Sequence, residues 1–293
     1  ARVYLHAWQV TGDALFERIA RETLDYLLRE MRDPAGGLYA AQDADSEGIE
    51  GKFFVWTVQE IDDVLGSDDG ALFRSVFGVT LEGNFTDPHH PDLTGRNVLS
   101  RPHAIEDIAA ANGIDVLELT ARVDDLRQRM FEAREQRVHP SRDDKVVASW
   151  NGLALSAFAE AGRILGDARY LEAARGVTTF LRDRMWDGSR LHHVYAGGPD
   201  GGTAKIDGQL DDYAAIALGA LDLYRATGDL ALVDWAARLF EAALERFHDD
   251  EAGGFFESPS DGEELILRQK PFFDSPTPSG NGSMALLAGW LGR

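Results

Sequence analysis

The apolar positions of this chain sort into two kinds of helix that alternate along it. The run from Leu153 to Gly162 is small and apolar on nearly every side, the pattern of a helix buried all round. The segment from Tyr170 onward carries Glu172, Arg175, Arg182 and Arg184 on a charged stripe and so keeps a solvent face. The same contrast separates Ala214 to Tyr224 from Leu232 to Phe247. Between the two kinds stands a Gly-Asp turn, at Gly12-Asp13, Gly166-Asp167 and Gly228-Asp229, and each following helix ends near a glycine-led loop at Gly36-Gly37, Gly188-Ser189 or Gly253-Gly254. Hairpins repeated at this scale cannot bury their apolar faces alone and must stack on neighbours. Alternating inner and outer helices predict an all-α fold, an α/α toroid of helical hairpins with short β-hairpins in its mouth loops. An open solenoid is the alternative, because the repeat does not show that a ring closes.

The stretch from Gly36 to about Ile105 breaks the pattern. It holds a strand-like Lys52–Thr57, short helical candidates from Val58 to Leu65 and from Ala71 to Phe77, and a Gly/Asn/Pro/His-rich loop from Gly83 to Pro102, before a further helix from Val116 to Arg137. With no low-complexity tract or Pro/Ser linker, residues 1–293 read as a single domain, with 36–105 as an irregular loop-rich segment within it. Counting back from the Gly-Asp turns places Asn151 and Asp212 at the starts of inner helices, and Ser279-Gly280-Asn281 opens another. The same count from Gly12 runs off the start of the chain, so a fragment with helices missing at both ends is expected.

Composition narrows the partners. A net charge of −21 without a basic patch opposes nucleic-acid phosphate and anionic membrane surfaces. Zero cysteines exclude disulfides, thiolate metal sites and a cysteine nucleophile within this stretch. No apolar run approaches the roughly 18 residues of a membrane span, and the start does not read as a signal peptide, so the cytoplasm is the expected location. His89-His90 and His192-His193 lack the i, i+4 spacing of a helical zinc site and read as surface residues. No metal or cofactor is expected.

Candidate chemistry collects where inner helices begin, since their N-termini project unpaired N–H groups and the positive end of the dipole. Capping explains Asp, Asn and Ser at such places one at a time. The clusters carry more than caps: Asp43, Asp45 and Glu47 with Lys52 and Trp56; Asp144 and Lys145 with Trp150 and Asn151; Asp211, Asp212 and Tyr213; Ser279 and Asn281. Successive helical residues diverge by about 100°, so Asp211 and Asp212 cannot both face the lumen and one of them is a cap. The charged form is favoured at a helix N-terminus, which suits Asp212 as base or nucleophile, while Asp45 or Glu47, beside Phe54 and Trp56, is the candidate acid. Lys145 and Asn151 would position a ligand on which Trp56, Trp150 and Tyr213 stack; Asp43, Lys52, Asp144, Asp211, Ser279 and Asn281 complete the binding set. As a cap, Asp212 would cost roughly 0.5–2 kcal/mol on change to alanine.

The blocks Asp43-Ala44-Asp45-Ser46-Glu47-Gly48 with Gly51-Lys52-Phe53-Phe54-Val55-Trp56-Thr57, then Asp143-Asp144-Lys145 with Ser149-Trp150-Asn151-Gly152, Leu210-Asp211-Asp212-Tyr213-Ala214 and Thr277-Pro278-Ser279-Gly280-Asn281 occur in this order over nearly the whole chain. In this they resemble the toroid portion of the thioredoxin-domain-containing family that includes spermatogenesis-associated protein 20 and bacterial homologues. The resemblance implies a toroid similar to six-hairpin glycosidases and to the N-acylglucosamine 2-epimerase group, attached to an N-terminal thioredoxin-like domain that this chain lacks. Two functions follow as expectations: a carbohydrate-active domain, glycosidase- or sugar isomerase-like, acting on or binding a small saccharide; or a non-catalytic ligand- or client-binding scaffold for the thioredoxin-like partner.

Overall fold

The computed structural model describes residues 1–86, 90, 94–197 and 201–292. Its helices are α1 (Arg2–Thr11), α2 (Ala14–Glu30), α3 (Val58–Leu65), α4 (Ser67–Phe77), α5 (Ile105–Asn112), α6 (Val116–Arg134), α7 (Ala148–Leu165), α8 (Ala168–Phe180), α9 (Leu210–Thr227), α10 (Leu230–Phe247) and α11 (Gly280–Leu291). They divide between two compact units, one of Ala1–Ala41 with Asp143–Arg293 and one of Gln42–Arg142.

In the larger unit the Gly-Asp turns work as paired stop and start signals. Gly12, Gly166 and Gly228 end α1, α7 and α9 in the left-handed conformation, at φ of 71°, 65° and 75°, which glycine adopts without a Cβ clash. The aspartate that follows turns its carboxylate onto the next helix: Asp13 accepts from the N–H of Leu15, Asp167 from Arg169 and Asp229 from Ala231. Three hairpins result, α1–α2, α7–α8 and α9–α10. α1 packs on α7, α7 on α9, and α9 on α11, so these four form an inner row with α2, α8 and α10 outside it, the layering of an α/α toroid. The two sequence patterns become two burial patterns. α10 buries Leu232, Trp235, Ala236, Leu239, Phe240, Ala243 and Phe247 along one stripe and leaves Asp234, Arg238, Glu241 and Glu245 in solvent, whereas α7 buries residues on most of its sides.

A second device recurs at the inner-helix starts. Leu38, Leu191 and Phe255 each form an isolated bridge to the end of the preceding outer element, at Arg32, Trp186 and His248. The backbone at these points is then clamped by a side chain near the start of an inner helix. Asn151 accepts from the Leu38 N–H at 2.7 Å and donates to its carbonyl at 3.0 Å; Asn281 does the same to Phe255, at 2.8 Å each way. At Leu191 the clamp is the Tyr213 hydroxyl, which accepts from the N–H at 2.9 Å. Strands Val146–Val147, His192–Ala196 and Thr203–Asp207 form an antiparallel sheet that delivers His193 and Gly208 to the start of α9.

The smaller unit packs α3, α4, α5 and α6 around Ile61, Phe73, Val76, Leu119, Val123 and Leu126. Thr57 and Glu60 close a capping box at the start of α3. The acidic segment is a hairpin, Asp45–Ser46 against Ile49–Glu50, with both loop residues, Glu47 and Gly48, at positive φ (55° and 75°) as a two-residue turn requires. The strand expected over Lys52–Thr57 does not form. Gly51, at φ 72°, starts a turn closed by the Phe54 N–H on the Gly51 carbonyl, and only Trp56 bridges, to Asn97.

Candidate functional site

The start of α9 decides which aspartate does what. Gln209 caps the helix, and Asp212 occupies the third helical position, where its carboxylate reaches back to accept from the Gln209 N–H at 2.8 Å. Its other oxygen accepts from the Ser149 N–H of α7, also at 2.8 Å, and His193 Nδ1 lies 2.7 Å from the first. Asp212 is completely buried. It therefore ties two inner helices and a strand together, with both carboxylate oxygens engaged by protein. The hydrogen bond to Asp212, opposed by burial and reinforced by the charges of Asp212 and Asp211, raises the pKa of His193 above its ordinary value.

Asp211, one residue earlier, points the other way and lines a pocket of about 150 Å³. The pocket follows one face of each inner helix: Ser149, Leu153 and Ser156 on α7; Asp211, Ala215 and Leu218 on α9; Ser283 and Leu286 on α11, with Thr277 and Pro278 above and Arg2 at its far end. The spacings i, i+4, i+7 on α7 and α9 are those of a single helical face. Burial, then the negative charge of Asp212, push the Asp211 carboxyl up to about 6, against the opposing influence of His193 and a hydrogen bond from the Ser149 hydroxyl. The positive end of α9 would lower it, but that effect is worth about 0.3–1 kcal/mol at an ordinary site, less than the roughly 3 kcal/mol implied by the rise from 3.8. At Asp211, therefore, desolvation outweighs the dipole, and the carboxyl holds its proton to a higher pH than an ordinary aspartate.

The same faces continue downward into a charged layer. Glu160 and Asp222 each lie eleven residues beyond Ser149 and Asp211, on the same lumenal stripe of α7 and α9. Arg2 Nε is 2.8 Å from Glu160 and a terminal nitrogen of Arg2 is 3.6 Å from Asp222; His6 Nε2 is 2.7 Å from Glu160. Burial raises the Asp222 pKa, countered by Arg2 and by a hydrogen bond from Ser156.

The remaining sequence-predicted residues fall in several places. Asn151, Tyr213 and Asn281 are the buried clamps described above; Asn281 also donates to the Pro271 carbonyl at 2.9 Å and Asn151 to that of Val147 at 2.9 Å. Ser279 caps α11 by accepting from the Gly282 N–H. Trp150 stands half exposed beside Ser149; Asp144 and Lys145 are exposed, with Lys145 3.0 Å from Asp143. In the smaller unit, Asp43 accepts from the Asp45 N–H and the Ser141 hydroxyl, which hold its carboxyl below the usual range, and Glu47 pairs with Lys52 at 2.8 Å. Trp56 is 4% exposed, with the Arg137 guanidinium 3.7 Å from its ring centre, so its stacking face is already occupied. His89 lies outside the described residues.

No protein-family profile matches the chain. Human spermatogenesis-associated protein 20 is 35% identical to it over 306 residues, which span 96% of this chain and 39% of the human protein; the mouse protein is also 35% identical, spanning 95% and 38%. The chain belongs to the spermatogenesis-associated protein 20 family. It spans about two fifths of the length of these relatives. Among solved structures, the family 76 glycoside hydrolase (mannosidase) Bt3792 of Bacteroides thetaiotaomicron is similar at a TM-score of 0.41 and 17% identity, covering 64% of this chain and 52% of that one. A D-mannose isomerase is similar at 0.42 and 14%, covering 98% and 84%.

Within this family member, sequence reasoning missed Arg2, Ser149, Ser156, Glu160, Asp222 and His193. Reading His193 as a surface residue is corrected by its 2.7 Å contact with the buried Asp212. The signal for Glu160 and Asp222 was present: each is an acidic residue well inside a largely apolar inner helix, at the same offset from a polar residue at the helix start. The signal for His193 was not, since its partner is 19 residues away on another element.

Proposed function

We propose that the pocket along α7, α9 and α11 binds a small saccharide and that Asp211 transfers a proton on it. The observation that carries this reading is the Asp211 carboxyl in the pocket wall with its pKa at about 6. A carboxyl poised there is mostly ionised near neutral pH yet readily protonated, the compromise that general acid–base catalysis rewards. The wall alternates apolar surface from Leu153, Ala215 and Leu218 with hydroxyls from Ser149, Ser156 and Ser283, which suits a ring with an apolar face and a rim of hydroxyls. Its 150 Å³ is below the roughly 300–1,000 Å³ of drug-sized sites, so the ligand is on the scale of a monosaccharide.

One carboxyl in the lining fits isomerase-like chemistry better than hydrolysis. The Asp211 carboxylate would take the proton from the carbon beside a sugar carbonyl, leaving an enediolate; the hydroxyl proton on that carbon's oxygen passes to the former carbonyl oxygen, and the Asp211 carboxylic acid returns its own proton to the former carbonyl carbon. Glycoside hydrolysis ordinarily needs a second carboxyl about 5–9.5 Å away. Among the described residues lining the pocket, Asp211 is the one that carries a carboxyl side chain. The scaffold reading, a ligand- or client-binding platform for a thioredoxin-like partner, draws support from Asp212, Asn151, Tyr213 and Asn281, whose polar groups serve the fold.

The test is a thermal-shift panel of mono- and disaccharides followed by incubation in D₂O. Monosaccharides should raise the melting temperature, and the protein should place solvent deuterium beside the sugar carbonyl, an exchange that Asp211→Asn abolishes. Binding without exchange would favour the scaffold; a flat panel would end the saccharide reading.

A further inference from the structure

Every cation described around the pocket already has its anion. Arg2, the cation in the lining, is committed to Glu160 at 2.8 Å and reaches Asp222 at 3.6 Å; Arg225 lies 3.5 Å from Asp222; His6 sits on Glu160 and His193 on Asp212, both at 2.7 Å. Asp211 is different. Its side chain receives the Ser149 hydroxyl, but among the described residues no Lys, Arg or His nitrogen comes within 4.0 Å of it. The pocket therefore offers a ligand one unpaired carboxyl in its wall and no uncommitted positive charge.

We infer that this pocket selects a saccharide bearing a protonated amine over a neutral one and turns away phosphorylated or carboxylated sugars. This substrate class rests on the saccharide reading above. An ammonium placed beside Asp211 replaces the water that burial has removed and completes an ion pair with a partly buried carboxylate. A phosphate or carboxylate in the same space would meet Asp211, with Asp212 behind it and Glu160 and Asp222 below, and could recruit Arg2 only by separating it from Glu160. The net charge of −21 adds a long-range bias of the same sign.

The repeat supports placing the selective group on α9. Ser149 and Asp211 hold corresponding places at the tops of the lumenal stripes of α7 and α9, as Glu160 and Asp222 do one layer down. In the lower layer both places are acidic and Arg2 spans them. In the upper layer only one is acidic, and among the described residues none provides the spanning cation. A ligand ammonium fills in the upper layer the role that Arg2 has in the lower.

Isothermal titration near pH 7.5 with glucosamine, glucose, glucose 6-phosphate and the non-sugar amine serinol tests this. Glucosamine should bind at least about tenfold more tightly than glucose, a difference of about 1.4 kcal/mol, and glucose 6-phosphate more weakly than either. Asp211→Asn should remove the glucosamine advantage while still binding glucose, and its circular dichroism should confirm that it folds. Glucose binding as tightly as glucosamine, or the phosphate ester binding best, overturns the inference and leaves the saccharide reading standing. Serinol binding with no response to any sugar keeps the amine selectivity and removes the saccharide reading; no response to all four removes both.

Discussion

The Asp212 carboxylate and the His193 imidazole meet at 2.7 Å behind the pocket wall, and the same carboxylate accepts the backbone N–H groups of Ser149 and Gln209. Removing it leaves two buried donors and a half-buried histidine without an acceptor. Asp212→Ala should therefore cost about 3–5 kcal/mol, the range for breaking a buried pair from one side. A helix cap alone would cost roughly 0.5–2 kcal/mol. Urea unfolding of the variant distinguishes the two, and a loss under about 2 kcal/mol would reduce Asp212 to a cap.

Asp211 predicts the reverse behaviour. An aspartate whose folded pKa is about 6, against 3.8 for an ordinary one, holds its proton more tightly folded than unfolded. Its contribution to stability is accordingly greatest below about pH 3.8, declines as pH rises toward 6, and is constant above that. Asp211→Asn should lessen the fall in stability between about pH 4 and pH 7 by at most about 3 kcal/mol and raise the melting temperature at neutral pH. Equal pH profiles for the two proteins would show that the carboxyl titrates normally.

His193 should respond to the same neighbour. Its pKa is raised, first by the hydrogen bond to Asp212, so the protonated ring stabilises the fold at low pH and that contribution is lost as pH rises through the folded pKa. In Asp212→Asn the acceptor remains but the charge is gone, and the imidazole should titrate at lower pH than in the parent. Proton NMR of the His193 ring measures this directly; an unmoved titration would mean that another group sets it.

The hairpin layout was legible because its signals are local. Gly12-Asp13, Gly166-Asp167 and Gly228-Asp229 each pair a left-handed stop with a capping start, and no distant residue alters that. The helix at Val58–Leu65 was equally plain, with a capping box at its head. That only one of Asp211 and Asp212 faces inward follows from helical geometry, but which one depends on Ser149 and His193, brought by α7 and by a strand. Trp56 misled for a related reason: an apolar run beside a lysine reads as a strand, while its burial and the Arg137 stack are made by residues far along the chain. Asn151 and Asn281 looked like ligand-binding amides because a clamp on a remote backbone has no local signature.

Those amide clamps make a separate prediction. Asn281 satisfies both backbone groups of Phe255 and the Pro271 carbonyl, and leucine of similar size can satisfy none of them. Asn281→Leu should lose about 1–3 kcal/mol from unsatisfied buried polar groups. Hydrogen exchange at the Phe255 amide is the sharper readout, since a packing defect elsewhere would leave that proton protected.

Gly152 tests whether the pocket's width is set by helix approach. A Cβ built there would lie 2.6 Å from the Ala215 carbonyl carbon and the Ile216 nitrogen, and one at Gly219 would lie 2.8 Å from the Gly152 carbonyl. Both contacts are with backbone, which cannot rotate away as a side-chain tip can. Gly152→Ala must therefore push α7 and α9 apart or strain them, at about 1–3 kcal/mol for an overpacked site. Because Leu153 and Ala215 beside this crossing also line the pocket, the separation should weaken saccharide binding even with Asp211 intact. Paired measurement of unfolding energy and binding checks both. A variant that loses stability but binds as before would show that the crossing and the pocket are mechanically independent.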